Sequence, residues 1–175
     1  MAVLAVHTRE DGLLSALAPL GLGAATGTAL VIDLDPAGPR YPGAGSLAEL
    51  VSDGPRRSDL SPTRAGLAVL RNGGVDARSA ADVVAALVEG WPAVVLRLPK
   101  ASGDLRPDVE VRPLVPGGLY PHDSGPSIVY QDLGFRIPAE GPVLPPLKRP
   151  AAAALLAGTV PFRSSWVRAW RAMWE

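Results

Sequence analysis

Cysteine is absent from this chain of 175 residues, and histidine occurs only twice, as His7 and His122. The lack of cysteine excludes disulfides, cysteine-ligated zinc, iron–sulfur clusters and thiol catalysis. Two histidines leave little material for a histidine metal site. Neither sign of charge is in excess, because 17 Lys and Arg residues balance 17 Asp and Glu residues. A chain of zero net charge has no global electrostatic reason to bind DNA, RNA or an anionic membrane.

A long hydrophobic run is also missing. The longest apolar stretch, residues 151–162, is interrupted by Gly158 and Pro161. It falls short of the roughly 20 residues that a helix needs to cross a bilayer. The apolar start of the chain, residues 1–8, is too short for a secretory signal and is followed at once by acidic residues. We therefore expect a cytoplasmic protein, with any membrane association weak and peripheral.

Over its first hundred residues the chain alternates strand patterns with helix patterns. The first helix is expected to end at Pro19, and another begins with the capping box Ser46–Glu49. Repeated strand–helix–strand units predict an α/β fold in three layers, with a mostly parallel sheet flanked by helices. The strand predictions rest on short continuous apolar runs, typical of strands buried on both faces. They cover residues 2–7, 28–34, 66–70 and 93–98.

Proline dominates the chain after residue 98. Eleven prolines fall between Pro99 and Pro150, and only residues 109–115 and 127–131 have strand patterns there. The proline-rich part before the tail is interpreted as a semi-rigid linker rather than as a polyproline ligand for an aromatic groove. The predicted units are an α/β domain (1–136), a proline-rich linker (137–150) and a C-terminal helical tail (151–175).

Four phrases of the sequence resemble the ParA/MinD family of deviant-Walker ATPases. The most specific is TALVIDLDPAG, residues 28–38, which is similar to that family's second strand and the turn after it. The other phrases are SLAEL, GLAVLRNG and WPAVVLRLP, at residues 46–50, 66–73 and 91–99. The last of them lies where the family has its Walker B strand. The resemblance implies the parallel sheet of a P-loop nucleotide hydrolase, in a truncated form.

Two departures from the family's pattern concern its chemistry. The family binds triphosphate with a glycine-rich loop that contains lysine, whereas residues 7–12 here read HTREDG, and Glu10 would repel a polyphosphate. The family's Walker B strand ends in a carboxylate that helps to hold the hydrated metal, and Arg97 stands in that place. Without these groups, magnesium-dependent phosphoryl transfer loses its main electrostatic catalysts. We therefore expect no enzymatic activity, no metal and no cofactor.

These observations favour a non-catalytic ParA/MinD-like pseudo-ATPase that acts as a protein-interaction or regulatory module. The resemblance implies work in partition, positioning or cell division. The expected partner is a protein, either an active ATPase of the same family or a division or secretion component, and no direct binding of nucleic acid is expected. Two alternatives remain open. One is a small-molecule-binding protein or enzyme that uses the carboxyl edge of the sheet, and the other is a peripheral membrane adaptor.

Four polar residues are candidates for a ligand site at the carboxyl edge of the sheet, where open α/β folds usually bind ligands. Asp33 and Asp35 point the same way at the end of the second strand. They could hold a cation or accept a proton, or Asp35 could simply start a turn. Arg97 is expected to pair with Asp33 or Asp35, and anion binding is its alternative role. His7, at the end of the first strand, is interpreted as a packed edge residue rather than as a catalyst.

Residues His122, Asp123 and Ser124 are the three residue types of a catalytic triad. Members of a triad converge from distant parts of a fold, however, and the sequence has no GxSxG elbow. A polar turn is therefore the favoured interpretation of this segment.

The last twelve residues contain three of the four tryptophans, on one stripe at helical spacing. Trp and Arg are enriched in the hot spots of protein interfaces, so this stripe is a candidate partner surface. It could instead dock on the chain's own sheet or lie in a membrane interface. Two arginines partly offset by Glu175 make a weak lipid anchor, so partner binding is ranked above membrane binding. The candidate residues are Trp166, Trp170, Met173, Trp174, Arg168 and Arg171.

Overall fold

The computed structural model describes residues 2–10, 12–43, 45–99, 105–117 and 125–175, and all structural statements refer to them. The strands are β1 (Ala2–Thr8), β2 (Thr28–Asp33), β3 (Gly66–Leu70), β4 (Ala93–Arg97), β5 (Val109–Leu114), β6 (Ser127–Asp132) and β7 (Val143–Leu144). The helices are α1 (Leu13–Ala24), α2 (Leu47–Asp53), α3 (Ala81–Gly90), α4 (Arg149–Leu156) and α5 (Ser165–Ala169). A 3₁₀ turn (Trp170–Met173) follows α5.

The strands form one sheet in the order β3-β2-β4-β1-β5-β6-β7, and every adjacent pair is parallel. This confirms the predicted three-layer α/β fold. The chain leaves β1 towards one edge of the sheet and leaves β4 towards the other, so the direction of winding changes between these two neighbours. Open α/β sheets bind ligands at such a point, outside the carboxyl ends of the strands.

Helices cover both faces of the sheet and form two apolar cores. On one face, α1 packs with α4 and α5 over the valines of the central strands. On the other face, α2 and α3 cover β2, β3 and β4. The predicted capping box begins α2, since the Glu49 N–H donates to Ser46 Oγ (3.3 Å) and the Ser46 N–H donates to Glu49 Oε2 (3.1 Å).

The prediction that the first helix ends at Pro19 is wrong. Helix α1 continues through that proline to Ala24, and every residue from Ser15 to Ala24 is buried. Proline removes one backbone hydrogen bond from a helix, but burial of the whole second half of α1 against the sheet outweighs that loss. Tertiary packing therefore sets the length of this helix.

The linker predicted over residues 137–150 contributes to the sheet. Strand β7 lies within it and pairs with β6, and Leu144 is buried in the core. This segment also leads directly into α4, which packs on α1. Because β7 has only two residues, its pattern in the sequence is too short to be distinguished from a proline-rich tether.

The C-terminal tryptophans belong to the core. Trp166 and Trp170 are 1% and 0% exposed, and their rings meet edge to face with centroids 5.6 Å apart. Helix α1 has a glycine where they approach, because a Cβ at Gly21 would overlap the ring of Trp166. The prediction of a partner surface is thus wrong for these two residues, and the alternative, docking on the chain's own domain, describes them.

The remaining candidates of the tail differ in exposure. Met173 and Trp174 are half-buried, and the Trp174 indole N–H donates to the carbonyl oxygen of Leu22 in α1 (2.9 Å). Arg168 and Arg171 are exposed. Within the described part of the chain, no helix reaches the length and hydrophobicity needed to span a bilayer.

Candidate functional site

Three of the four predicted edge residues meet at the carboxyl ends of β2 and β4. Arg97 Nη1 donates to Asp33 Oδ1 (3.2 Å), and Arg97 Nη2 donates to Asp35 Oδ2 (3.1 Å). All three side chains are less than a tenth exposed. The prediction that Arg97 pairs with Asp33 or Asp35 is confirmed, and the arginine in fact pairs with both. We refer to these residues as the Arg97 cluster.

The segment after β2 closes over this cluster. Asp35 Oδ1 accepts hydrogen bonds from the N–H groups of Ala37 and Gly38 (3.0 Å each), which makes a tight turn of the kind aspartate favours. Arg97 Nη1 also donates to the carbonyl oxygen of Pro39 (2.7 Å). Gly38 is required here, because a Cβ at this position would overlap both Arg97 Nη2 and Asp35 Oδ2.

Tyr41 completes the enclosure of Arg97. The centroid of its ring lies 5.3 Å from Arg97 Cζ, a distance at which a cation and an aromatic ring attract each other. Its hydroxyl donates to the carbonyl oxygen of Ala16 in α1 (2.7 Å), so the ring joins the cluster to the helix. Arg97 Nε is buried with no hydrogen-bond partner among the described residues. The guanidinium is thus enclosed, but none of the described residues accepts a hydrogen bond from its Nε.

Burial changes the ionisation of this site. It raises the pKa of Asp33 from 3.8 to about 6, although the positive charge of Arg97 and a hydrogen bond from the Asp35 N–H act in the other direction. Burial also raises the pKa of Tyr41, which keeps its phenol protonated. The cluster has two carboxylates for one guanidinium. Asp33 is therefore the group that most readily takes up a proton when the pH falls.

His7 lies away from this cluster, although it was predicted at the same edge. In the register of the sheet, Val6 is the residue aligned with Arg97, and His7 is aligned with Glu110 of β5. Successive side chains of a strand point to opposite faces, so His7 and the Arg97 cluster are on opposite sides of the sheet. The prediction that grouped His7 with Asp33, Asp35 and Arg97 is wrong for this reason.

A second buried ion cluster, the Glu110 cluster, lies on the face of the sheet that His7 occupies. Glu110 Oε1 accepts hydrogen bonds from Arg9 Nε (2.7 Å) and from Arg112 Nε (2.6 Å). Glu110 and Arg112 are 3% and 1% exposed. Burial alone would raise the pKa of Glu110, but the hydrogen bonds from Arg9 and Arg112 outweigh it and hold this pKa below its usual value. This carboxylate is thus held firmly in its charged form.

The connection between β1 and α1 is short. Four residues, Arg9 to Gly12, separate the two elements, and the side chain of Arg9 turns to Glu110. The Thr8 hydroxyl donates to the carbonyl oxygen of Glu10 (2.9 Å). At the start of α1 the Gly12 N–H donates to Ser15 Oγ (3.3 Å). The described residues of this connection thus contact β1, α1 and β5.

A small cavity of about 190 Å³ opens beside the Arg97 cluster. Asp33, Asp35 and Tyr41 line it, together with Asn72 from the segment after β3. The Asn72 amide is already held, since it donates to the carbonyl oxygens of Asp33 (3.2 Å) and Val75 (2.9 Å). Among the described residues, no group of three or more His, Asp or Glu side chains could hold a metal ion.

The Glu110 cluster and Tyr41 were not anticipated from the sequence. A signal for the Glu110 cluster existed, because Glu110 and Arg112 alternate with valines inside the strand predicted over residues 109–115, which places two charges on one face. Tyr41 carried no comparable signal in its proline- and glycine-rich loop. Residues His122, Asp123 and Ser124, predicted to form a polar turn, lie outside the described residues.

Comparisons with known proteins bear on the fold. No protein-family profile and no curated protein matches the sequence. Among solved structures, a ParA family ATPase from Chlorobium tepidum TLS matches with a TM-score of 0.61 over 98% of this chain and 97% of its own. The fold is ParA-like. Because the sequence identity is 10%, the likeness concerns the fold alone.

Proposed function

We propose that this chain is a non-catalytic, ParA/MinD-like pseudo-ATPase that acts as a protein-interaction or regulatory module, in partition, positioning or cell division. The observation that carries the proposal is the Arg97 cluster. A guanidinium stands at the end of β4, at the change of winding direction in the sheet, and uses two carboxylates of β2 and its turn as its own partners. Those carboxylates are occupied by an internal cation.

The residues present do not fit a magnesium–nucleotide complex. A phosphate-binding loop of the Walker type uses eight residues ending in Lys and Ser or Thr, whereas β1 and α1 are joined by four residues without lysine. Glu10 adds negative charge at this connection. A divalent cation near Asp33 would also face the positive charge of Arg97. We infer for these reasons that the chain does not hydrolyse ATP.

The test of this proposal is thermal unfolding with and without 1 mM ATP and magnesium. An ATP site saturated at a hundred times its Kd would stabilise the fold by about 2.7 kcal/mol. For a domain of this size that corresponds to a shift in Tm of roughly 5–10 °C. We expect a shift below about 1 °C, within the scatter of such melts. The ParA family ATPase of Chlorobium tepidum is the positive control.

The regulatory part of the proposal has its own measurement. An active ParA family ATPase from the same genome is assayed for ATP hydrolysis with and without an equimolar amount of this chain. We expect the rate to change at least about twofold, that is by about 0.4 kcal/mol in activation free energy. An unchanged rate, together with no co-elution of the two proteins, would contradict the regulatory role and would leave the loss of catalysis untouched.

A second candidate function is favoured by the cavity beside Asp33 and Asp35. Arg40 and Arg71 also line it, so it offers both signs of charge to a small polar ligand. At about 190 Å³ it is smaller than the roughly 300–1,000 Å³ of usual ligand pockets. The test is binding of a zwitterion such as arginine or glutamate. Binding that is abolished by Arg71→Gln and unaffected by Arg64→Gln, at an exposed site, would support this candidate over the first.

A further inference from the structure

A cationic groove lies between the start of α4 and the start of α5. Its volume is about 480 Å³. Lys148, Arg163 and Arg168 line it together with the hydroxyl side chains of Ser164 and Ser165. The rings of three prolines also line it, and no acidic side chain among the described residues does so. We refer to it as the C-terminal groove.

The three cations of the C-terminal groove are not neutralised by any acidic side chain in the described part of the chain. Within the ranges that the structure describes, none of them takes part in an ion pair or a side-chain hydrogen bond. All three side chains are exposed. Three positive charges around one groove repel each other, and a bound anion relieves that repulsion. The groove therefore has an electrostatic preference for an anionic ligand.

The zero net charge of the chain conceals this preference. After residue 145 there are five Lys and Arg residues and a single acid, Glu175. The first 145 residues hold twelve Lys and Arg residues against sixteen Asp and Glu residues. Acidic side chains are thus plentiful in the sequence, yet none of those that the structure describes lines the groove. Local charge, rather than the total, decides what this surface attracts.

We propose that the C-terminal groove is a binding site for a small soluble organic phosphate. A guanidinium can donate two parallel hydrogen bonds to the oxygens of one phosphate, and hydroxyl groups supply further donors. The phosphate lies among Lys148, Arg163 and Arg168, and the organic part of the ligand contacts the proline rings. The groove's volume falls in the usual range of small-molecule sites, roughly 300–1,000 Å³. This site is separate from the Arg97 cluster and does not depend on the proposed function.

The experiment is isothermal titration calorimetry with phenyl phosphate as the probe at low salt. The test variant is Arg163→Gln with Arg168→Gln, and the matched control is Arg149→Gln with Arg171→Gln. The control removes the same charge at two exposed positions of the same segment that do not line the groove. We expect the test variant to weaken binding at least about tenfold, or roughly 1.4 kcal/mol, and the control to stay within about twofold.

Three results would overturn the proposal. The first is equal weakening of phenyl phosphate binding in both variants. The second is no heat when 10 mM phenyl phosphate is added to the folded chain. The third is binding of duplex DNA or anionic vesicles that is tighter than binding of phenyl phosphate. Circular dichroism confirms that each variant is folded. The ATP melt is repeated with the test variant: a shift in Tm lost there belongs to the groove, whereas one that persists contradicts the pseudo-ATPase proposal.

Discussion

The two buried ion clusters both pair charges away from water, but they have opposite ratios of positive to negative groups. In the Arg97 cluster one guanidinium lies between two carboxylates, and in the Glu110 cluster one carboxylate lies between two guanidiniums. The pKa of Asp33 is raised and that of Glu110 is lowered. A carboxylate in excess can take up a proton, but a guanidinium in excess keeps its charge. The net charge of the Arg97 cluster therefore changes with pH more readily than that of the Glu110 cluster.

The largest effect is expected from Glu110→Gln. This change removes the charge that pairs with Arg112, which is 1% exposed, and breaking a buried ion pair costs about 3–5 kcal/mol in the free energy of unfolding. Urea denaturation at pH 7 measures it, with Glu89→Gln at an exposed site as control. The pKa of Glu110 lies below its ordinary value of 4.5, so the stabilisation from this group is present above pH 4.5 and is lost as the pH falls below it. The difference in stability between the wild type and Glu110→Gln should therefore disappear only below pH 4.5.

The next effect is a pH dependence that comes from Asp33. Its pKa in the folded chain, about 6, exceeds the ordinary value of 3.8, so the folded state binds the extra proton between these values. Stability from this group is present below pH 4 and is lost as the pH rises through 6, by up to about 3 kcal/mol.

Asp33→Asn should remove that dependence, while Asp53→Asn, at an exposed site, should keep it. Urea denaturation at pH 4, 5, 6 and 7 compares the three proteins. A parallel pH profile for the wild type and Asp33→Asn would contradict the assignment.

Arg97→Met is expected to cost less than Glu110→Gln, at about 2 kcal/mol at pH 7. Asp33, whose pKa is raised, can take up a proton. The change also removes the buried Nε, which has no hydrogen-bond partner among the described residues. The cost should be smaller at pH 5 than at pH 7, as seen by chemical denaturation at both values. Arg64→Met is the matched control at an exposed site. A loss above that of Glu110→Gln would reverse the comparison of the clusters.

The smallest effect is expected from Tyr41→Phe. It removes the hydrogen bond to the Ala16 carbonyl (2.7 Å) and keeps the ring over Arg97, so we expect a loss of about 1 kcal/mol. Tyr130→Phe, at a half-buried position without a side-chain hydrogen bond among the described residues, controls for the change of residue type. Thermal melts of the two variants separate the effects. An equal loss in both would show that the link between Tyr41 and α1 contributes nothing.

The α/β class and the strand positions could be predicted because solid apolar runs and capping boxes are local patterns. The predicted strand over residues 109–115 became β5, and the box Ser46–Glu49 begins α2. Strand β7 and the extension of α1 past Pro19 could not be predicted. Both depend on surfaces from distant parts of the chain, since β7 needs β6 as its partner and α1 needs the tail.

The candidate site was predictable in part. Asp33 and Arg97 follow strands whose carboxyl ends share one edge, so their meeting follows from topology. The exclusion of His7 depends on the register of β1 against β4, in which Val6 is aligned with Arg97, and a shift of one residue would reverse the face of His7. The exposure of Trp166 and Trp170 was open as well, since an apolar stripe fits a core and an interface equally well.

The sequence by itself determined the class of fold, the charges at the end of each strand and the absence of a lysine-containing loop after β1, because these are properties of short segments. The tertiary structure decided which charges meet. It placed Arg97 between Asp33 and Asp35, put Glu110 on the other face and gathered three cations around one groove. The pairing of Arg97 depends on register, which brings together residues that are 64 and 62 positions apart in the chain.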